Sequence, residues 1–324
     1  MISLRQHIFS LVAVFVALAI GIAAGSTVLR GPLLDSTRAR LESAEKLIED
    51  ERSENDVLAA EVAQLDDLGA EGPAQLLTGR LGSSPVLLVV AGDVDRDVVD
   101  GVVRSLSVAT TGFVGELRLD AAVFDPEAAA RVAGDIGAGN LVTADSEPTD
   151  DQVQDVGTEF GHQVATLLDQ VAASTPSGQV GAAMNTAFGD LEDAGLVDLL
   201  RVTTREVEGE RLDIVVLTDR NLAHDPATVL QSMMTVPADA AATPLYLVAE
   251  VGRIAQDNDQ PVPSFVGSIR DSGRLRDEFS TVDNAETILG WIAIVLGLVA
   301  AEGGQVGQYG FRDGADAPIP RVVP

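Results

Sequence analysis

The chain has 324 residues, enough for one large or two modest domains, and its 22% charged and 46% hydrophobic composition is that of a folded protein. Fifty acidic residues against 21 basic ones give a formal net charge of −29, which repels phosphate backbones and sets nucleic acid aside as a partner. Cysteine is absent, which excludes disulfides, thiolate metal sites, iron–sulfur clusters and cysteine nucleophiles.

Ile8 to Leu29 reads IFSLVAVFVALAIGIAAGSTVL without a charge. As a helix this run covers about 33 Å, enough for a hydrocarbon core of about 30 Å, and predicts a retained single-pass anchor over residues 1–30. A cleaved signal peptide is the competing reading, with Ala19, Gly21 and Ala23 as small residues near a cleavage site. Ala17, Gly21 and Gly25 recur on one face, the spacing that lets two membrane helices approach closely, or simply small residues facing lipid. Arg5 precedes the run, whereas Arg30, Arg38, Arg40 and Lys46 follow it, so the count of positive charges favours a cytoplasmic body.

After Gly31 and Pro32, residues 33–68 form a charged amphipathic pattern in one heptad register. Leu34, Leu41, Ile48, Asn55 and Val62 occupy a; Thr37, Ala44, Glu51, Leu58 and Leu65 occupy d. This predicts a coiled-coil stalk that binds a protein partner, as a homodimer or a heteromer, through Leu34, Leu41, Ile48, Asn55, Leu58, Val62 and Leu65. Leu33 and Leu47 widen the stripe, so packing against the chain's own body is the alternative.

Beyond the break Leu68–Pro73 the pattern changes to apolar runs alternating with amphipathic stretches, predicting a three-layer α/β domain with a mainly parallel sheet over 76–310. Strands are expected at Val86–Ala91, Phe113–Leu119, Leu212–Leu217 and Tyr246–Val251, and helices at 96–109, 126–133, 150–172, 185–200, 226–234 and 283–301. Ile288–Ala301 is uncharged but, at about 21 Å, too short to span, and reads as a buried core helix capped by Asp283 and Glu286 and stopped by Gly303-Gly304. The tail 311–324, with Pro318 and Pro320, is expected to be disordered.

No zinc-protease, nucleophile-elbow, phosphate-loop or kinase motif occurs, and three histidines leave little for imidazole chemistry, so no catalytic or cofactor-binding residue is assigned. Gly134, Gly137 and Gly139 follow a helix and read as a loop. Asp93, Asp95, Asp97 and Asp100 follow the first strand and could hold a hard cation, but Val98 and Arg104 break the calcium-loop pattern and helix capping explains the aspartates as well. His224 with Met233 and Met234 offers soft ligands for copper(I), against the ordinary reading of core methionines and a turn histidine.

The N-terminal MISLRQHIFSLVAVFVALAIGIAAGS, the coil segment, the α/β body and Gly307-Gln308-Tyr309-Gly310 together resemble the actinobacterial family named mycobacterial copper transport protein B. The resemblance implies a non-enzymatic, single-pass protein of the cytoplasmic membrane with its body outside, acting in copper homeostasis or efflux; copper itself is implied only by this resemblance. Some relatives are linked to cell separation, so a coiled-coil scaffold or regulator at the division septum, recruiting a membrane partner or a cell-wall hydrolase, is the alternative. Of residues 1–29 only Arg5 is charged at neutral pH, so the acidity belongs to the stalk and body, which anionic headgroups would hold off the bilayer.

Overall fold

The computed structural model of the protein describes residues 7–23, 72–142, 147–203, 208–219, 226–235, 240, 242, 244–252 and 264–321. Two compact units divide the chain, Met1–Asp67 and Leu68–Pro324. In the first, residues 7–23 form helix α1, whose large apolar side chains are all exposed. Its seventeen residues cover about 25 Å, and no helix among the described residues is long and apolar enough to cross a membrane. The last six residues of the expected span, 24–29, lie outside the described residues, as does the whole heptad segment 33–68.

The second unit is built on seven strands, β1 (Val86–Ala91), β2 (Val114–Leu119), β3 (Val197–Arg201), β4 (Asp213–Thr218), β5 (Leu245–Glu250), β6 (Ser280–Val282) and β7 (Gln308–Tyr309), in the order β3-β2-β1-β4-β5-β6-β7. Every pairing is parallel except β2 with β3. β1 and β4 are buried at every position because helices cover both faces, which is why β1 and the Ile214–Leu217 centre of β4 read as apolar runs.

One face packs Leu87, Val89, Ile214, Val216 and Val248 against α4 (Ala129–Asp135), α5 (Asp150–Ala173), α6 (Val180–Asp193), α7 (Pro226–Met233) and α8 (Phe265–Asp271). The other packs Leu88, Val90, Val215 and Leu247 against α2 (Gly72–Leu77), α3 (Arg96–Ala109) and α10 (Ile288–Glu302); the short α9 (Gly273–Glu278) follows α8. The three layers and the mainly parallel sheet match the expectation. The helix α10 is the core helix read from its length: Ala293, Ile294, Val295 and Leu298 have no exposed surface, and the ring of Trp291 lies where a Cβ on Gly101 of α3 would be, at 2.2 Å.

Several expectations are corrected. The helix placed at 185–200 is α6, and it stops at Asp193; Gly195 takes φ +69°, a conformation that ends the helix cheaply, and the apolar run beyond it becomes the antiparallel edge strand β3. The cap of α10 is Thr287, whose side chain accepts from the Gly290 N–H, while Asp283 and Glu286 are engaged elsewhere. Gly303-Gly304 does stop α10, with Gln305 N–H closing onto Ala300 O at 2.9 Å. The body begins earlier than residue 76, with α2 at Gly72 and Leu77 fully buried. The tail expected to be disordered from residue 311 is tied down through residue 321. Phe311 and Arg312 donate their N–H groups to Asp283, Ala317 bridges to Tyr309, and Pro320 is buried, because the sheet edge at β7 leaves polar groups that this segment satisfies.

Candidate functional site

The strand order reverses between β1 and β4, so the carboxyl edge of the sheet is where an open α/β domain places a ligand. At the reversal Asp93 is exposed and Asp219 is buried, its N–H donating to Ala91 O at 3.3 Å. Farther along the same edge, β5 ends in Glu250 and β6 is followed by Asp283, both without exposed side-chain surface to speak of.

Burying these carboxylates demands partners, and each has them. Glu250 Oε1 accepts from Phe265 N–H at 2.9 Å, and Oε2 from Ser264 Oγ at 2.6 Å and Arg312 Nη1 at 2.9 Å. Arg270, itself 6% exposed, donates Nη1 to Asp283 Oδ2 at 2.6 Å, Nε to Thr281 Oγ1 at 3.0 Å and Nη2 to Tyr309 O at 2.8 Å. Asp283 also takes Phe311 N–H on Oδ1 at 2.9 Å and, on the Oδ2 that Arg270 already holds, Arg312 N–H at 3.1 Å. Glu286 Oε2 accepts from Gly252 N–H at 2.6 Å.

The Gly307-Gln308-Tyr309-Gly310 string belongs to this network. Gln308 is buried; its Oε1 accepts from Thr281 Oγ1 at 2.6 Å and its Nε2 donates to Arg276 O and Phe279 O at 3.0 and 3.1 Å. Gly310 has φ +128°, and a Cβ there would lie 2.0 Å from Asp283 Oδ1, so the chain can turn toward Asp283 only with glycine at this point. Burial, and secondarily Asp316, raises the Tyr309 hydroxyl above the ordinary phenol range. The motif is therefore a clasp that binds the last segment of the chain to β6 and α8.

Two shallow clefts open on this edge. One, of about 440 Å³, lies between α8 and the clasped segment and is lined by Ser264, Gly267, Arg270, Phe311 and Arg312 among others. The other, of about 570 Å³, is lined by Asp93, Val94, Asp95, Arg96, Arg118 and Asp198. In the second, the buried Glu116 takes Arg96 and Arg118 on one oxygen, at 3.1 and 3.3 Å. The arginines of both clefts are thus engaged by carboxylates of the same chain, and the arrangement suits cohesion better than proton transfer.

The residues singled out from sequence are placed as follows. Asp95 is the N-cap of α3, accepting from Asp97 N–H at 3.0 Å, and Asp97 lies exposed in the first turn. Asp93 and Asp95 share the second cleft, yet among the described residues no group of three or more His, Asp or Glu side chains converges to hold a metal ion. Met233 and Met234 are buried in the core beside Leu230, and Met233 O accepts from the Tyr246 hydroxyl at 3.4 Å; His224 lies outside the described residues. Burial raises the Tyr246 hydroxyl well above its usual range, with Asp169 adding to it. Ala17 and Gly21 sit on the exposed α1, while Gly25 and the seven coil positions lie outside the described residues. Sequence reading missed Glu250, Arg270 and Arg312; the terminal Gly-Gln-Tyr-Gly string was the one signal that pointed toward them.

Comparison with known proteins finds relatives that match along nearly the whole chain. The copper transporter MctB of Mycobacterium tuberculosis (strain ATCC 25618 / H37Rv) is 24% identical over 318 residues, covering 97% of this chain and 98% of the relative. The copper transporter MctB of Mycobacterium leprae (strain TN) is 26% identical over 318 residues, with the same coverage. Residues 1–320 match the family described as copper transport outer membrane protein, MctB, and the chain belongs to that family.

Proposed function

We propose that this chain is a non-enzymatic envelope protein of copper homeostasis, anchored in the cytoplasmic membrane by its N-terminal helix with the acidic body outside. The observation that carries the anchor is α1: from Ile8 to Ile22 its large apolar side chains are each more than half exposed, on every side of the helix. Apolar surface of that extent, with no polar face, is stable only against lipid or another apolar helix. The uncharged residues that follow, to Leu29, lengthen the run to a span of about 33 Å if the helix continues. Copper comes from the names of the relatives and of the family.

A pore does not fit the body. Its sheet is covered by helices on both faces, whereas an outer-membrane barrel turns one face of every strand to lipid. A single apolar helix likewise gives copper no polar path. The reading that fits is an anchored module that acts on copper handling through a membrane partner, with residues 33–68 supplying the contact surface.

In cells lacking the gene, copper tolerance is expected to fall, to return with the full chain, and not to return with a chain lacking residues 1–29. Tolerance unaffected by loss of the gene would contradict the copper role; full rescue by the truncated chain would contradict the anchor's part in it.

A further inference from the structure

At the amino end of the sheet, opposite the clasp, one buried charge is left incompletely paired. Asp213, the first residue of β4, has no exposed surface. Its Oδ1 accepts from Arg211 Nε at 3.3 Å, but Oδ2 is buried and meets no donor. The acidic group brought toward it is Glu302, an exposed residue in the last turn of α10, through the residues before β1, where Pro85 O accepts the Asp213 N–H at 3.0 Å. Glu302 in turn accepts from Ser84 Oγ at 2.9 Å, in the turn that leads into β1. Two bare carboxylates brought toward each other repel and offer no donor, whereas a proton held on Asp213 supplies one.

We propose that a proton held on Asp213 and donated toward Glu302 latches the C-terminus of α10 and the turn Gly79–Ser84 to the start of β4, and that this end of the body loosens when rising pH removes it. The groups facing the pair are Glu210 and Arg211 before β4, Glu302 on α10, and Arg80 and Ser84 around a cleft of about 490 Å³; the flanking strands contribute Val86 and Leu245. Burial, reinforced by the charge of Glu302 and opposed by Arg211, pushes the Asp213 carboxyl up from 3.8 to about 7. The sign follows: between these values the folded chain keeps a proton that the unfolded chain has lost, so this pair's contribution to stability falls as pH rises from about 4 to about 7 and levels off above.

The test is thermal unfolding of the full-length chain in detergent micelles from about pH 5 to about pH 8, for the parent, Asp213→Asn and Glu302→Gln, with amide hydrogen exchange of residues 79–84 in the parent. An amide at either position supplies the donor without a proton. Both variants are expected to lose part of the parent's fall in stability, and Asp213→Asn is expected to shift the folding equilibrium at pH 8 at least tenfold toward the folded state. Exchange at 79–84 in the parent, corrected for intrinsic rates, is expected to rise across the same range. A parent slope retained by both variants, or by Glu302→Gln if the Asn variant does not fold, overturns the proposal. So does parent exchange that is independent of pH.

Discussion

Asp283→Ala is expected to destabilise the body by about 3–5 kcal/mol, the cost of leaving a buried partner charge uncompensated. The substitution strips Arg270 of its carboxylate at 2.6 Å and leaves the N–H groups of Phe311 and Arg312 without their acceptor. Arg270 cannot escape to solvent, being 6% exposed, and cannot shed its proton, so the loss falls on the folded state. The check is a urea midpoint together with limited proteolysis. The segment 311–321 should become cleavable below the denaturant concentration at which the sheet unfolds, because its remaining polar ties are the short bridge of Ala317 to Tyr309 and those of Asp316 to Gln308 and Arg276, of Arg312 to Glu250 and of Asp313 O to Arg270. Replacing both members, Arg270→Met with Asp283→Asn, removes the charge and its orphan together and is expected to cost less than Asp283→Ala alone. A single variant with an unshifted midpoint and an uncleaved C-terminal segment would mean that the clasp is decorative.

The second large effect is expected from Ala293→Asp. Ala293 has no exposed surface, in a helix whose neighbours are β5, β6, α2 and α3. A carboxylate there is without a partner, and transfer of an unpaired charge into such surroundings costs several kcal/mol, about 3–5 after relaxation and a raised pKa. Trp291, the single tryptophan of the chain, reports on it directly, since its ring rests on Gly101 and its indole N–H donates to Ala285 O at 2.9 Å. Its emission should shift toward that of exposed indole in the variant, at a lower urea concentration than in the parent. Unchanged emission and an unchanged midpoint would remove α10 from the core and reopen its apolar run to another role.

What could be read in advance follows from burial. β1, β4 and β5 lie between helices, so β1 and the centres of β4 and β5 are apolar runs that stand out. α5 was expected at 150–172 and runs from Asp150 to Ala173, its start fixed in the structure by a capping box of Thr149 and Gln152. β6 and β7 have three and two residues and sit at the sheet's end, too short for any period to show, and β3 was absorbed into the preceding helix because Val197–Leu200 is as apolar as α6 itself. Asp283 illustrates the harder case. An aspartate five residues before a helix suits a cap, and nothing local says that Arg270, thirteen positions back, will fill its oxygens. The aspartates after β1 showed the reverse: the ordinary reading, helix capping, is what Asp95 does.

The central claim is that the chain is fastened to a membrane by its N-terminal helix. Alkaline carbonate extraction of membranes from cells making the full-length protein tests it most directly, because the treatment releases proteins held by charge and leaves those held by apolar surface. With a body this acidic, electrostatic adhesion to anionic lipid is not available to hold the chain. The full chain is expected to remain in the pellet and to leave it only with detergent. Recovery of the full-length chain in the carbonate supernatant would contradict the anchor.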